Sequence, residues 1–181
     1  MKYYKPGAEK ILRRIRLLVL DVDGVLTDGY IIYHDDGHET KTFDVKDGFG
    51  IRLLKMAGIE VCIATGRMSG ALQHRCKNLG IELIFDGLRH KAAILDELIE
   101  KTGIPPDQMA FVSDDLLDLS LMSRVAMAVA VADAQKEVLQ AADAVTRSKG
   151  GRGAVREVCE AILQAQEKWE PLIERIKTGD L

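Results

Sequence analysis

The chain has 181 residues, 47% of them hydrophobic and 29% charged, and a net charge of −3 at pH 7, which is typical of one soluble domain spanning residues 1–181. This balance excludes the strongly basic surface of a nucleic-acid-binding protein, and the longest apolar run, residues 125–132, is too short for a membrane span of ~20 residues. The three cysteines have no metal or redox spacing and the first residues lack the apolar core of a signal peptide, so we expect a cytoplasmic protein.

Short apolar runs alternate with segments of helical periodicity along the chain. The runs predict strands at residues 17–20, 59–64, 81–85, 109–112 and 125–129. The periodic segments predict helices at residues 48–57, 69–79, 91–102, 116–123, 134–142 and 153–169. This alternation predicts an α/β fold, a three-layer, Rossmann-like parallel sheet with helices on both faces.

One segment interrupts the alternation and predicts a β-hairpin over residues 30–43. Two runs rich in β-branched and aromatic residues flank a turn with Asp36 and Gly37 at its centre. The hairpin is inserted between the first strand and its crossover helix. Because a two-stranded hairpin is marginally stable alone, we expect its tyrosines and isoleucines to pack against another subunit.

Polar residues stand at the carboxyl ends of the predicted strands, which is the edge where open α/β sheets form their sites. They are Asp21 and Asp23 after the first strand, Thr65 and Arg67 after the second, Lys91 after the third, and Asp114, Asp115 and Asp118 after the fourth. Asp21 and Asp23 point the same way in an extended segment, and burying both is costly without a cation, a hydrogen-bond network or a reaction. The set predicts a phosphoryl-transfer site with a divalent metal ion.

The motifs resemble the haloacid dehalogenase superfamily of phosphatases: DVDGVLTDG at residues 21–29, ATGR at 64–67, Lys91, and DDLLD at 114–118. Two more stretches resemble one family within it, the 3-deoxy-D-manno-octulosonate 8-phosphate (KDO 8-phosphate) phosphatases: FDVKDGFGIR at 43–52 and TRSKGGRGAVRE at 146–157. The resemblance implies that the hairpin takes the place of a cap domain. It also implies hydrolysis of KDO 8-phosphate to KDO and phosphate in lipopolysaccharide biosynthesis.

The resemblance implies a role for each catalytic residue. Asp21 would be the nucleophile that forms an aspartyl phosphate, and Asp23 would be the general acid and base. Thr65 would hydrogen-bond the phosphoryl oxygens, and Lys91 would neutralise charge on the nucleophile and the phosphate. The expected cofactor is Mg²⁺, which prefers oxygen ligands, here the carboxylates of Asp21 and Asp114 and the backbone carbonyl of Asp23.

The resemblance also implies the residues that bind the sugar-acid phosphate. Arginine suits the carboxylate of such a substrate because a guanidinium pairs with both oxygens. The expected substrate-binding residues are Asp23, Asp44, Val45, Lys46, Asp47, Gly48, Arg52, Arg67, Arg75 and Lys91. Arg75 lies well inside its helix, where a plain surface charge is the alternative interpretation.

A basic, glycine-rich segment, residues 147–153, precedes the last predicted helix. Such a segment can form an anion-binding turn or a flexible connector. In the family that the chain resembles, a comparable tail closes over a neighbouring subunit's site. We therefore expect a lid here and a homo-oligomer, specifically a tetramer.

Two other functions stay open on the sequence alone. The first is a phosphatase of nine-carbon sugar-acid 9-phosphates, of the sialic-acid type, because the same architecture serves both substrates. The second is a catalytically silent oligomeric homologue, although every expected catalytic residue is present. Ser113 stands where the family has Gly, and Asp115 and Asp118 can either orient metal-bound waters or cap the next helix.

Overall fold

A computed structural model describes residues 1–180, so Leu181, the last residue of the predicted domain, lies outside the described residues. The strands are β1 (Lys2–Tyr3), β2 (Leu17–Leu20), β3 (Ile32–Tyr33), β4 (Glu39–Thr40), β5 (Glu60–Ala64), β6 (Leu83–Phe85), β7 (Met109–Ser113), β8 (Met127–Ala130) and β9 (Ala144–Val145). The α-helices are α1 (Ala8–Leu12), α2 (Val45–Met56), α3 (Gly70–Leu79), α4 (Leu95–Thr102), α5 (Leu119–Met122), α6 (Lys136–Ala141), α7 (Ala154–Ala165) and α8 (Trp169–Thr178). Within residues 1–180, none of these helices has the length and apolar character that crossing a membrane would take.

The strand β2 lies inside a seven-stranded sheet with the order β1-β9-β8-β7-β2-β5-β6. β1 pairs antiparallel with β9, and the other neighbours pair parallel. The chain moves from β2 through α2 and α3 to one edge of the sheet, then returns through α4 and α5 to the other side of β2. Because such crossovers are right-handed, these two sets of helices cover opposite faces. The predicted three-layer α/β sheet is confirmed.

The two longest helices, α2 and α7, pack closely against each other on one side of the sheet. Gly50 of α2 makes this approach possible, because a β-carbon there would lie 3.0 Å from Arg156 Cδ and 3.2 Å from Cys159 Cβ. Ile51 and Leu54 of α2 are buried in the core beneath. This packing fixes the position of the segment that carries most of the predicted substrate-binding residues.

Sequence periodicity does not predict the short strands β1 and β9 or the break between α7 and α8. β1 and β9 are strands of two residues, too short to leave a periodic pattern. The helix predicted over residues 153–169 is divided, because α7 ends at Ala165 and Glu167 adopts a φ of 60° before α8 begins. The predicted hairpin is present as β3 and β4, and the His34 N–H donates to the His38 carbonyl across its turn at 2.9 Å.

Candidate active site

Three strands end side by side and deliver the site residues to one edge of the sheet. Leu20, the last residue of β2, pairs with Ile63 of β5 and with Val112 of β7. The backbone N–H of Asp21 continues the sheet by donating to the Val112 carbonyl at 3.1 Å. Polar residues that follow these strands therefore meet at the point where the strand order reverses, as expected for an open α/β sheet.

These residues line one cavity of about 280 Å³. Its walls are Asp21, Asp23, Gly29, Thr65, Gly66, Arg67, Lys91, Asp114, Asp115, Leu117 and Asp118. The set includes every residue to which the sequence assigned a catalytic or metal-binding role. Five aspartates outnumber the two basic residues, Arg67 and Lys91, so an anionic substrate requires a bound cation in this cavity.

A cluster of three carboxylates lies in this cavity. One ligand atom from each of Asp21, Asp114 and Asp118 lies within 4.8 Å of the others. Burial, together with the charges of Asp21 and Asp118, raises the pKa of Asp114 to about 8. Burial also raises the pKa of Asp21 to about 6, against the opposing effect of Lys91.

The carboxylate of Asp114 is suited to a divalent cation. Its buried Oδ1 has no hydrogen-bond partner among residues 1–180, and such an unpaired polar atom is costly. Gly24 makes room for this carboxylate, because a β-carbon at residue 24 would overlap it. An all-oxygen donor set of this kind fits Mg²⁺. The backbone-carbonyl contribution of Asp23 stays a prediction.

Lys91 is the buried cation of the cluster. Its Nζ lies 2.7 Å from Asp21 Oδ1 and 2.5 Å from Asp118 Oδ1. Burial acts to lower the pKa of Lys91, but the charges of Asp21 and Asp118 outweigh it and raise the pKa above its usual value. The lysine therefore keeps a positive charge beside the carboxylate that we expect to attack phosphorus.

The two aspartates that the sequence left ambiguous have different surroundings. Asp118 is buried, and its Oδ2 accepts the backbone N–H groups of Asp114 at 3.2 Å and Asp115 at 3.4 Å. It therefore links Lys91 to the loop that carries Asp114. Asp115 caps the short helix at Leu116–Asp118, where its Oδ1 accepts the Leu116 N–H at 2.7 Å.

The hydroxyl of Thr65 is held by the backbone of its own loop. Thr65 is buried, and its Oγ1 accepts the Arg67 N–H at 3.2 Å. The backbone N–H of Thr65 donates to the Phe85 carbonyl at 2.9 Å. The hydroxyl thus lies at a defined place on the cavity wall.

Seven of the ten predicted substrate-binding residues line one of two cavities. Arg67 lines the cavity with the catalytic residues, where its guanidinium donates to the Tyr33 hydroxyl at 2.8 Å and to Glu39 at 3.0 Å. Four others line a separate cavity of about 230 Å³: Val45, Gly48, Arg52 and Arg75. The single chain therefore does not bring the two groups together.

The remaining three residues of the predicted substrate segment have local roles. Asp44 caps α2 by accepting the Lys46 N–H at 2.7 Å, and Lys46 is itself exposed. Asp47 is buried and caps α7, because its carboxylate accepts the N–H groups of Gly153 at 3.2 Å and Arg156 at 2.7 Å. Its substrate-binding role stays a prediction, and the structure shows a structural role that the sequence did not suggest.

Lys41 is the site residue that the sequence reasoning missed. Its side chain is fully buried, and its ammonium donates to the Asp23 carboxylate and lies 2.9 Å from Glu39 Oε1. Burial acts to lower the pKa of Lys41, but Asp23 and Glu39 outweigh it and raise the pKa. The available signal was the spacing of Glu39 and Lys41, which places opposite charges on one side of an extended segment.

The glycine-rich segment is hydrogen-bonded to the loop of its own chain that follows β2 and carries Asp21 and Asp23. The Gly151 N–H donates to the Val25 carbonyl at 2.8 Å, and the Gly150 N–H donates to Asp133 Oδ1 at 3.0 Å. A β-carbon at Gly150 would overlap the Gly24 carbonyl. The segment therefore supports the loop that follows β2, and its role as a lid over a neighbouring subunit stays a prediction.

Known proteins are similar to the chain over most of its length. Residues 84–158 match the family model of haloacid dehalogenase-like hydrolases. Over 168 residues the chain is 49% identical to the 3-deoxy-D-manno-octulosonate 8-phosphate phosphatase KdsC of Escherichia coli strain K12, covering 91% of this chain and 89% of that protein. The crystal structure of the phosphatase of that name from Yersinia pestis has a TM-score of 0.88 and 46% identity, covering 90% and 88% of the two chains. The one from Moraxella catarrhalis, solved with a magnesium ion, a phosphate ion and KDO, has a TM-score of 0.92 and 39% identity, covering 96% and 99%.

Proposed function

The chain belongs to the 3-deoxy-D-manno-octulosonate 8-phosphate phosphatase family of the haloacid dehalogenase-like hydrolases, and from this premise we propose that it hydrolyses KDO 8-phosphate to KDO and phosphate. One observation carries the proposal: Asp21, Asp23, Thr65, Lys91 and Asp114 line a single cavity of about 280 Å³. The reaction would serve lipopolysaccharide biosynthesis in the cytoplasm.

The first half-reaction uses Asp21 as the nucleophile. A carboxylate oxygen of Asp21 attacks phosphorus, the bond from phosphorus to the sugar oxygen breaks, and an aspartyl phosphate forms. Lys91, whose Nζ lies 2.7 Å from Asp21 Oδ1, orients this carboxylate and offsets the repulsion between two anions. The Thr65 hydroxyl donates to a phosphoryl oxygen as it moves toward Asp21.

Asp23 transfers the proton in both half-reactions. Its carboxyl gives a proton to the leaving sugar oxygen in the first half-reaction. It then takes a proton from the water that attacks phosphorus and releases Asp21 in the second. Asp21 directly follows β2 and Asp23 lies in the turn that comes next, and both side chains line the same cavity.

The expected cofactor is Mg²⁺, which would be held by the carboxylates of Asp21 and Asp114 and by the Asp23 backbone carbonyl. When bound, it supplies positive charge that reduces the repulsion between the anionic nucleophile and the anionic phosphate. Asp118 fixes the loop that presents Asp114 through its bonds to the Asp114 and Asp115 N–H groups.

The separation of the two cavities supports the proposal of a homo-oligomer, with a tetramer expected. Arg67 is in the catalytic cavity, whereas Arg52 and Arg75 line the other one. We propose that a substrate held at Asp21 contacts Arg67 of the same subunit and the arginines of the second cavity from a neighbouring subunit. The exposed hairpin residues Tyr30 and Tyr33 supply apolar surface for such contacts.

Phosphate release measured on a panel of substrates tests the proposal. The panel holds KDO 8-phosphate and nine-carbon sugar-acid 9-phosphates, each assayed with Mg²⁺ and with a chelator. We expect the highest kcat/KM for KDO 8-phosphate, and loss of activity with the chelator. A preference for the nine-carbon esters would support the sialic-acid-type alternative. Absence of phosphate release from every ester would support the silent homologue.

The Asp21→Asn variant tests the mechanism, because the amide cannot attack phosphorus. We expect loss of turnover by about 10⁴-fold or more, since removing a nucleophile abolishes the covalent route. Near-normal turnover in this variant would overturn the aspartyl-phosphate mechanism while leaving the substrate assignment intact.

A further inference from the structure

We propose that Lys41, on the inserted hairpin, is a positioning residue that fixes the Asp23 carboxylate for its proton transfers. The inference rests on the proposed function and extends it, because it makes the hairpin part of the acid–base step. It concerns the orientation of Asp23 at the cavity wall.

The surroundings of Lys41 carry the inference. Its side chain is 0% exposed, although lysine is among the residues least often buried. The ammonium is matched by two carboxylates, Asp23 on the catalytic loop and Glu39 on β4. A buried ammonium needs such partners, and one of them is the residue that we expect to transfer protons.

The hairpin is tied to two catalytic loops by a chain of alternating charges. Asp23 pairs with Lys41, and Lys41 pairs with Glu39 at 2.9 Å. Glu39 in turn pairs with Arg67 at 3.0 Å, and Arg67 also bonds the Tyr33 hydroxyl on β3. The loops that follow β2 and β5 are therefore joined through hairpin side chains.

The contact with Lys41 restricts the orientation of the Asp23 carboxyl group. The last torsion of an aspartate is broad, so an untethered carboxyl samples many orientations. The Lys41 ammonium donates a hydrogen bond to Oδ1 of Asp23. The Asp23 side chain is still 25% exposed, and it lines the cavity. One oxygen is thus anchored and the other is left for the leaving oxygen of the substrate, which is the fixed geometry that proton transfer requires.

The test compares Lys41→Met with the wild type and with a matched control, Lys101→Met. Lys101 is half exposed and pairs with Glu97 on the same helix, away from the cavity. Each protein is assayed with KDO 8-phosphate, whose sugar leaving group needs a proton, and with p-nitrophenyl phosphate, whose leaving group does not. The readouts are kcat, KM and the rate of the first p-nitrophenol burst.

We expect Lys41→Met to lower kcat for KDO 8-phosphate by about 10- to 100-fold, less than the roughly 10²- to 10⁴-fold contribution of general acid–base catalysis, because Asp23 is misplaced and not removed. KM and the p-nitrophenol burst rate should change much less, and Lys101→Met should match the wild type. A burst rate that falls as far as kcat would show a role in folding the site and would overturn the inference.

A double variant separates positioning of Asp23 from simple attachment of the hairpin. If Lys41 acts through Asp23, Lys41→Met adds no further loss of kcat in an Asp23→Asn background, because residues that act as a unit are not additive. Multiplied losses would overturn the inference. If Lys41→Met fails to fold, Lys41→Ala replaces it in the same comparisons, because alanine also removes the donor to Asp23 and leaves room for water beside the two carboxylates.

The outcomes distinguish this inference from the proposed function. A wild-type protein inactive on both esters contradicts the proposed function itself. An active wild type whose Lys41 variants turn over KDO 8-phosphate normally contradicts only the role of Lys41.

Discussion

Gly150 packs directly on Gly24, so that a β-carbon at residue 150 would overlap the Gly24 carbonyl oxygen. Gly24 in turn lies against the Asp114 carboxylate with a φ of 84°. Residues from the end, the beginning and the middle of the chain thus meet at one point. The loop that carries Asp21 and Asp23 is held between the glycine-rich segment and the loop that carries Asp114.

Substitution of Gly150 should therefore disturb the catalytic loop. In Gly150→Ala the new methyl group meets backbone atoms that cannot rotate away, and we expect a loss of about 1–3 kcal/mol in the free energy of unfolding. Urea unfolding and phosphate release measure the effect on stability and on kcat. Gly70→Ala is the matched control, because its β-carbon has no neighbour within 4 Å, and it should unfold at the same urea concentration or a higher one. Equal behaviour of the two variants would contradict the contact.

Asp118→Asn should separate Lys91 from the loop that carries Asp114. The amide would turn its NH₂ group either toward the Lys91 ammonium or toward the N–H groups of Asp114 and Asp115, so one interaction becomes repulsive. Breaking such a buried pair costs about 3–5 kcal/mol. We expect weaker Mg²⁺ binding by calorimetry and a lower midpoint of urea unfolding.

The control for Asp118 is Asp107→Asn, the same chemical change at an exposed ion pair with Arg14. Exposed pairs contribute about 0–1 kcal/mol, so this variant should unfold close to the wild type. If Asp118→Asn also unfolds at the wild-type midpoint and binds Mg²⁺ equally well, then Asp118 does not organise the site.

Mg²⁺ should stabilise the protein more at higher pH. In the metal-free protein the folded state keeps Asp114 protonated between its ordinary pKa of 3.8 and about 8, mainly because the group is buried. The folded state then binds more protons than the unfolded state, so this carboxyl lowers stability as the pH rises through that interval. Because Mg²⁺ binds the ionised carboxylate, its affinity should increase over the same interval.

Thermal unfolding at several pH values, with Mg²⁺ and with a chelator, measures this linkage. We expect the rise in Tm caused by Mg²⁺ to be larger at about pH 8 than at about pH 5, since metal binding must displace the proton at lower pH. The difference between the two series at each pH removes the contribution of groups that Mg²⁺ does not contact and leaves that of the expected ligands, Asp114 and Asp21, whose pKa values are both raised. A rise in Tm that is equal at both pH values would contradict the assignment of Asp114 as a ligand.

The exposed hairpin should mediate association of subunits. Tyr30 is 75% exposed and Ile32 is 47% exposed, which is unusual for neighbouring large apolar residues. We expect light scattering to report a tetramer for the wild type and a smaller species for Tyr30→Glu. Tyr4→Glu, at a 53% exposed tyrosine outside the hairpin, should keep the wild-type mass. A monomeric wild type would contradict the interpretation of the hairpin.

The sequence by itself determined the α/β architecture and which polar residues follow each strand of it. The apolar run at Leu17–Leu20 became the buried strand β2, and the residues after β2, β5 and β7 reached one cavity. These features are local: a buried strand and the residue that follows it are adjacent in the chain, and the parallel register aligns the strand ends.

Only the tertiary structure decided which partners these groups have. The pairing of Lys41 with Asp23, the capping of α7 by Asp47 and the contact of Gly150 with Gly24 join residues far apart in the chain. No periodicity marks such pairs, because each depends on how the inserted hairpin or the crossovers place separate segments. A charged residue in a hairpin or helix has the same sequence signature whether it faces water or a buried carboxylate, and its burial is set by the packing of the whole fold.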